Sequence, residues 1–208
     1  MKKKTNNSIS WTKQNSSSLK GKVFVFTGPS GAGKTTIIES LLKENSSFGR
    51  IITCTTRAPR TGEKNGVDYN FVSRKKFEFF IKNDLLLEYA EVYGNYYGSL
   101  KSDAEKLIAS GKTVLISVDV KGAITMMKKL KGSETIFIKT PSIKVLKDRL
   151  LSRGKDSIDV IEKRIALARK EIKIEKRFDY IVVNDKLDAA LRKTKKIIEN
   201  SQKSLVCS

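Results

Sequence analysis

Apolar residues in this chain fall into short unbroken runs that alternate with stretches of helical spacing. The run 22–27 (KVFVFT) is β-branched and aromatic and ends at a glycine, so it reads as a strand buried on both faces. Past the glycines, Ile37, Ile38, Leu41 and Leu42 recur at three- and four-residue steps, which predicts strand, loop, helix in that order. A second such unit starts at Thr113, where the strand VLISV closes on Asp119. Further buried strands are expected at 135–139 (TIFIK) and 180–183 (YIVV), with Val145, Leu146, Arg149 and Leu150 marking a helix between them. Ser102 and Glu105 are spaced as a capping box, and Gly111 stands where the helix they begin would stop. Ile158, Ile161, Ile165, Ala168 and Ile172 predict a long amphipathic helix from Ser157 to about Lys176. Strands and helices alternating in this way predict an α/β fold, a parallel sheet covered by helices on both faces.

Two stretches break the rhythm. From 52 to 100, Pro59, Gly62, Gly66, Gly94 and Gly98 punctuate short aromatic runs, which we read as an inserted lobe between core segments 21–51 and 101–200. Residues 1–20 carry five lysines and no acid, too little apolar surface to offset ordering entropy, so a disordered basic tail is expected there, with Trp11 its one aromatic residue.

Composition narrows the chemistry. At 208 residues and 39% hydrophobic, the chain suits one globular unit, 21–208, with a real core. No run nears the length of a membrane span and the lysine-rich start lacks a signal peptide's apolar stretch, so a cytoplasmic location and no membrane partner are expected. Cys54 and Cys207 supply neither a disulfide framework nor a zinc cluster. The absence of histidine removes Ser/His/Asp and Cys/His nucleophiles together with histidine metal sites. Chemistry is left to Lys, Arg, Asp, Glu and backbone groups. A net charge of +20 suits polyanions, either nucleotides or nucleic acid. No stacking-aromatic or base-reading motif accompanies it, so no dedicated nucleic-acid site is expected.

The string GPSGAGKTT supplies a polyanion site of its own. Gly28, Pro29, Ser30, Gly31, Ala32, Gly33, Lys34, Thr35 and Thr36 contain G-x-x-x-x-G-K-T between a predicted strand and a predicted helix, the context that motif requires. Its glycines let backbone N–H groups turn inward around phosphate oxygens, at a helix start that adds positive potential. Lys34 then faces the β and γ phosphates, and the Thr35 hydroxyl is placed to ligate Mg²⁺, the cofactor of such a site. Asp119, ending a strand, suits a second magnesium-linked carboxylate or, alternatively, a helix N-cap. The motif indicates a nucleoside triphosphate and leaves the reaction open.

A second phosphate site is written in TTRAPRTGEKNGVDYNF. Arg57 and Arg60 flank a proline, and Tyr69 follows. Guanidinium forks grip phosphate bidentately, and this pair stands outside the triphosphate loop, so a second phosphorylated ligand is expected, the alternative being a solvated basic loop.

GPSGAGKTT, TTRAPRTGEKNGVDYNFV, GNYYGS and VNDKLDAA stand in the order and spacing of guanylate kinases, and from about Gly21 to Asn200 the chain resembles that family. The second motif is the specific one. The resemblance implies a P-loop NTPase-like fold with an inserted mixed α/β monophosphate-binding lobe at 52–100 and a helical lid at about 150–168. It implies that the chain phosphorylates GMP, and dGMP, from Mg-ATP, a step of purine nucleotide metabolism. By the same resemblance Arg57, Arg60, Tyr69 and Tyr97 hold the GMP phosphate, and Glu88, Thr53 and Ser99 hold guanine, with Asp119 facing acceptor and metal. Lid arginines Arg149, Arg153 and Arg164 act with Lys34 and Arg57 on the transferring group, and Asn184 lies near adenine. Glu88 also makes chemical sense unaided. A carboxylate accepts from guanine N1–H and N2–H, which AMP lacks, and such sites discriminate by about 10⁴ or more.

The chain departs from the family pattern at Ser117, where an acid is usual, at Asp119-Val120-Lys121-Gly122, in a lid segment about one residue short that carries Lys155, and at Cys54, a usual Ser or Thr position. Three other readings stay open: a non-catalytic interaction module of the same family, which typically lacks the triphosphate loop; a kinase for AMP or UMP; and a nucleic-acid-binding role. Whether the chain is a monomer or a homo-oligomer is undecided by sequence.

Overall fold

The structure, a computed structural model, describes residues 22–92, 94–154 and 156–206. The expected tail with Trp11, Lys155 and Cys207 lie outside the described residues. In chain order the elements are β1 (Val23–Thr27), α1 (Lys34–Glu44), β2 (Phe48–Arg50), β3 (Cys54–Thr55), β4 (Asn70–Phe71), α2 (Arg74–Lys82), β5 (Leu86–Val92) and β6 (Asn95–Leu100), followed by α3 (Lys101–Ala109), β7 (Thr113–Ser117), α4 (Val120–Lys129), β8 (Glu134–Lys139), α5 (Ile143–Ser152), α6 (Ile158–Ile172), β9 (Tyr180–Val183) and α7 (Leu187–Val206).

Five strands form a sheet in the order β2-β7-β1-β8-β9, with every pairing parallel. β1 lies at its centre and alternates its side chains between two cores. Val23 and Val25 pack with Val114, Ile116, Val120, Ala123 and Met126 on one face, while Phe24 and Phe26 pack with Ile37, Ile38, Leu41, Ala190 and Leu191 on the other. Helices therefore cover both faces, as the unbroken apolar strands require. Strand order reverses at β1, so its C-terminal end opens into the crevice where ligands of such sheets bind.

The second sheet, β4-β3-β6-β5, is built wholly from residues 54–100. β3 pairs parallel with β4 and antiparallel with β6, which in turn pairs antiparallel with β5. α2 covers it through Phe77 and Phe80, which join Cys54 and Leu86 in a separate small core. Gly98 makes this packing possible: a Cβ there would meet the Glu88 carbonyl oxygen at 2.8 Å and Phe77 Cζ at 2.9 Å.

Three local expectations are corrected. The capping box fails: α3 starts at Lys101 behind Leu100, and no side chain caps it. The Lys101 amide is tied to the Leu85 carbonyl at 2.9 Å, which starts the helix two residues early and leaves Ser102 inside the first turn. The long helix ends at Ile172, not Lys176, and a separate 3₁₀ turn spans Glu175–Arg177. The strand β2 lay unpredicted, because three edge residues show no periodicity.

Gly98→Ala should lower unfolding stability by ~1–3 kcal/mol, the usual cost of overpacking a filled site. An unchanged urea midpoint would show that the lobe yields to the methyl group.

Candidate active site

The glycine loop, residues 28–33, leaves β1 and is pressed against β8. A Cβ at Gly28 (φ 121°) would stand 2.1 Å from the Ile138 carbonyl oxygen, so only glycine lets the loop turn there. α1 then begins behind Gly33 with no side-chain cap and no acid in its first turn. Its first N–H groups and positive dipole end are thus directed at the loop, an anion site by construction. Lys34 Nζ donates to the carbonyl oxygens of Gly28 and Pro29, the latter at 3.0 Å. Burial pushes its pKa down to about 8, against the carboxylates of Glu171 and Asp119 that favour the charge, and Arg153 adds to the depression. A phosphate arriving here would meet an ammonium group already short of water. Thr35 and Thr36 are exposed on the first turn, and Ser30 is exposed at the loop's tip.

Asn184, following β9, braces this loop. Its Nδ2 donates to the Ala32 carbonyl at 2.8 Å, and a Cβ at Gly33 would collide with it at 2.2 Å. Arg149 on α5 holds the segment in turn, donating from Nη2 to the carbonyl oxygens of Asn184 at 2.9 Å and Asp185 at 3.2 Å. Arg153 caps the end of α5 and is exposed.

The other side of the site is a row of side chains running across the second sheet. Ser99 lies opposite Glu88, and the residues preceding Cys54 and Asn70 in the register, Thr53 and Tyr69, continue the row. Glu88 is only 3% exposed and accepts from Ser99 Oγ at 3.0 Å. Burial pushes its pKa up to about 8; the Ser99 bond opposes this and the nearby Asp119 adds to it. Next to the row, the Arg57 guanidinium stands 5.5 Å from the Tyr69 ring centre, and the Tyr69 and Tyr97 rings lie 6.1 Å apart. Arg57 is held by Glu63, with Nη2 at 2.9 Å from both carboxylate oxygens, and the Arg60 backbone N–H donates to the same acid at 2.7 Å.

The two sides meet at Asp119. Asp119 at the end of β7 is felt electrostatically by both Lys34 and Glu88. A Cβ at Gly122, in the first turn of α4, would meet Glu88 Oε2 at 2.7 Å and Asp119 Oδ1 at 3.1 Å, so this row abuts the core directly. From α6, Arg164 Nη1 donates to Ser30 Oγ at 3.2 Å. Arg60 reaches the same region through Asp156, at 3.4 Å.

Among the described residues no group of three His, Cys, Asp or Glu side chains is set to hold a metal by itself. This fits Mg²⁺, which usually takes one or two carboxylates and completes its shell with phosphate oxygens and water. Asp119 uses Oδ1 to cap α4, accepting from the Gly122 amide at 2.6 Å, so its other oxygen is the one that would face a metal.

Three acids went unassigned from sequence: Glu63, Asp156 and Glu171. Glu63 stands inside the quoted arginine motif, a signal available there. Glu171 lies seven residues, two turns, beyond Arg164 on α6, so both present the same helix face. Burial raises the Glu171 pKa to about 7, opposed by Lys34 and reinforced by Asp119.

The guanylate kinase family model matches residues 20–201. Guanylate kinase from Synechocystis sp. is 44% identical over 181 residues, spanning 87% of this chain and 95% of that protein. The enzyme of that name from Fusobacterium nucleatum is 41% identical, spanning 88% and 98%. The crystal structure of guanylate kinase from Anaplasma phagocytophilum superposes with a TM-score of 0.74 at 29% identity, covering 89% of this chain and 88% of that one. The parallel sheet with its glycine loop is accordingly a P-loop NTPase-like fold, and the chain belongs to the guanylate kinase family of nucleoside monophosphate kinases.

Proposed function

We propose that this protein transfers the terminal phosphoryl group of ATP to GMP, giving ADP and GDP. The observation that carries this reading is that a buried, Ser99-bonded carboxylate, Glu88, and the Lys34 ammonium behind the glycine loop share Asp119 as an electrostatic neighbour. Ionised Glu88 accepts from N1–H and N2–H of guanine, while Thr53, Ser99 and Asp119 line the base. Arg57, Arg60, Tyr69 and Tyr97 grip the acceptor phosphate. These roles read base and phosphate and leave the sugar unread, so dGMP is a second acceptor.

An oxygen of the acceptor phosphate attacks the terminal phosphorus of ATP. The new P–O bond forms as the bond to the β-γ bridging oxygen breaks, and that oxygen leaves on ADP. Catalysis of such a transfer is positioning and charge neutralisation, with no histidine or covalent intermediate needed. Backbone N–H groups of residues 28–36 and Lys34 hold the donor phosphates, and Asn184 keeps the loop in shape beside the adenine. Thr35 and Asp119 would hold Mg²⁺, which supplies charge neutralisation between the phosphates. Arg149, Arg153 and Arg164 close over the group in transit and exclude water.

An acceptor panel in a coupled ADP-release assay tests the reading: GMP and dGMP should turn over while AMP, UMP and CMP do not. Equal turnover of AMP would sink it. Lys34→Ala should lower kcat by ~10³ or more with the thermal melt retained, since a preorganised charge on the transferring group is lost.

Glu88 generates a pH prediction. Its raised pKa, about 8, leaves the free carboxyl mostly protonated at pH 7, and the proton must leave for guanine to donate to both oxygens. GMP affinity should therefore rise from about pH 6.5 to about pH 8.5. Calorimetry in two buffers of different ionisation enthalpy should register a proton released at pH 7. Glu88→Gln should weaken GMP by ~10² or more, abolish that release and leave binding of an ATP analogue within about twofold. Undiminished GMP binding would remove Glu88 from base recognition.

A further inference from the structure

Asp156, in the turn between α5 and α6, occupies a position that neither the helix nor the fold demands. One carboxylate oxygen, Oδ1, takes Arg164 Nη2 at 3.0 Å and Arg60 Nη2 at 3.4 Å. Arg164 extends the chain of contacts, its Nη1 donating to Ser30 Oγ at 3.2 Å. A single acid thus joins an arginine of the acceptor lobe to an arginine of the lid, and through the lid arginine to the donor loop. Helix capping does not account for it, since Ser157 is the N-cap of α6 and no side chain makes the capping bond. Nor is this a solvated ion pair of little worth, because the side chains of Asp156 and Arg164 are only 10% and 13% exposed. Arg164 Nε is buried without a hydrogen-bond partner, so its guanidinium remains one acceptor short with Asp156 and Ser30 in place.

Resting on the reading of Arg60 as an acceptor-phosphate ligand, we propose that Asp156 is a positioning residue that makes acceptor binding and lid placement one event. Through Arg60 it senses whether the acceptor lobe is engaged, and through Arg164 it sets the lid arginine against the donor loop. Arg60 gives only Nη2 to the acid, which leaves Nε and Nη1 for a phosphate. Coupling of this kind is reciprocal: whatever the acceptor gains from a bound donor, the donor gains from a bound acceptor.

The test compares the wild type with Asp156→Asn and Asp156→Glu. GMP affinity is measured by calorimetry with and without a non-hydrolysable ATP analogue. The wild type should bind GMP ~5-fold or more tightly when the analogue is present, and Asp156→Asn should bring that ratio to about one. Its kcat should fall ~10- to 10²-fold, more than either KM changes, with the GMP KM at saturating ATP rising by no more than about the lost coupling factor. Asp156→Glu should recover a large part of both. An Asn variant that keeps kcat and the affinity ratio overturns the proposal, as does a Glu variant as impaired as Asn. If the Asn variant loses its cooperative melt, the wild type decides: GMP alone should slow amide exchange across 158–165, and exchange that responds only to the ATP analogue refutes the coupling. A wild type inactive on GMP would instead sink the proposed function, so the two failures are distinct.

Discussion

The parallel pairing of β1 with β7, which sets Phe26 opposite Ser117, brings two strand ends out of the core at one place. From the first leaves the glycine loop, and two residues past the second stands Asp119. Because strand order reverses at β1, the crevice above this pair is not filled by a crossing connection. The burial of Val25, Phe26, Leu115 and Ile116 therefore positions the site as much as any polar contact does. A slip of either strand by one residue would turn that strand's own side chains to the opposite face and shift the loop relative to Asp119.

Around that crevice the protein obtains groups titrating near neutrality without any histidine. Burial lowers the Lys34 ammonium to about 8 and raises Glu171 to about 7 and Glu88 to about 8. The three belong to different elements and share Asp119 as an electrostatic neighbour. Desolvation by the surrounding protein thus performs the tuning that an imidazole ring would otherwise supply.

Much of this was legible in the residues themselves. Runs such as KVFVFT and YIVV have no polar alternation and so fit only a doubly covered sheet, and the glycine loop declared itself by standing between a strand and a helix. What stayed hidden is non-local. Asp156 lies 96 residues from Arg60, and one acid in a lysine-rich chain carries no local mark of such a pairing. Asn184, placed by resemblance near adenine, also braces Ala32 from 152 residues away. The capping box misled because tertiary hydrogen bonding at Leu85 outweighed a local cap whose worth is about 1 kcal/mol. Short edge strands such as β2 have too few residues to display a period.

Gly122 sits where a methyl group would strike the Glu88 carboxylate. Retargeting the pocket to another base is consequently not a single-site engineering problem. A shorter amide or hydroxyl at 88 would leave a void bounded by bare backbone at 122, and a bulkier residue at 122 would expel the acid to which the proposed function gives the purine edge. The two positions have to be redesigned as a pair, with the smaller partner chosen first.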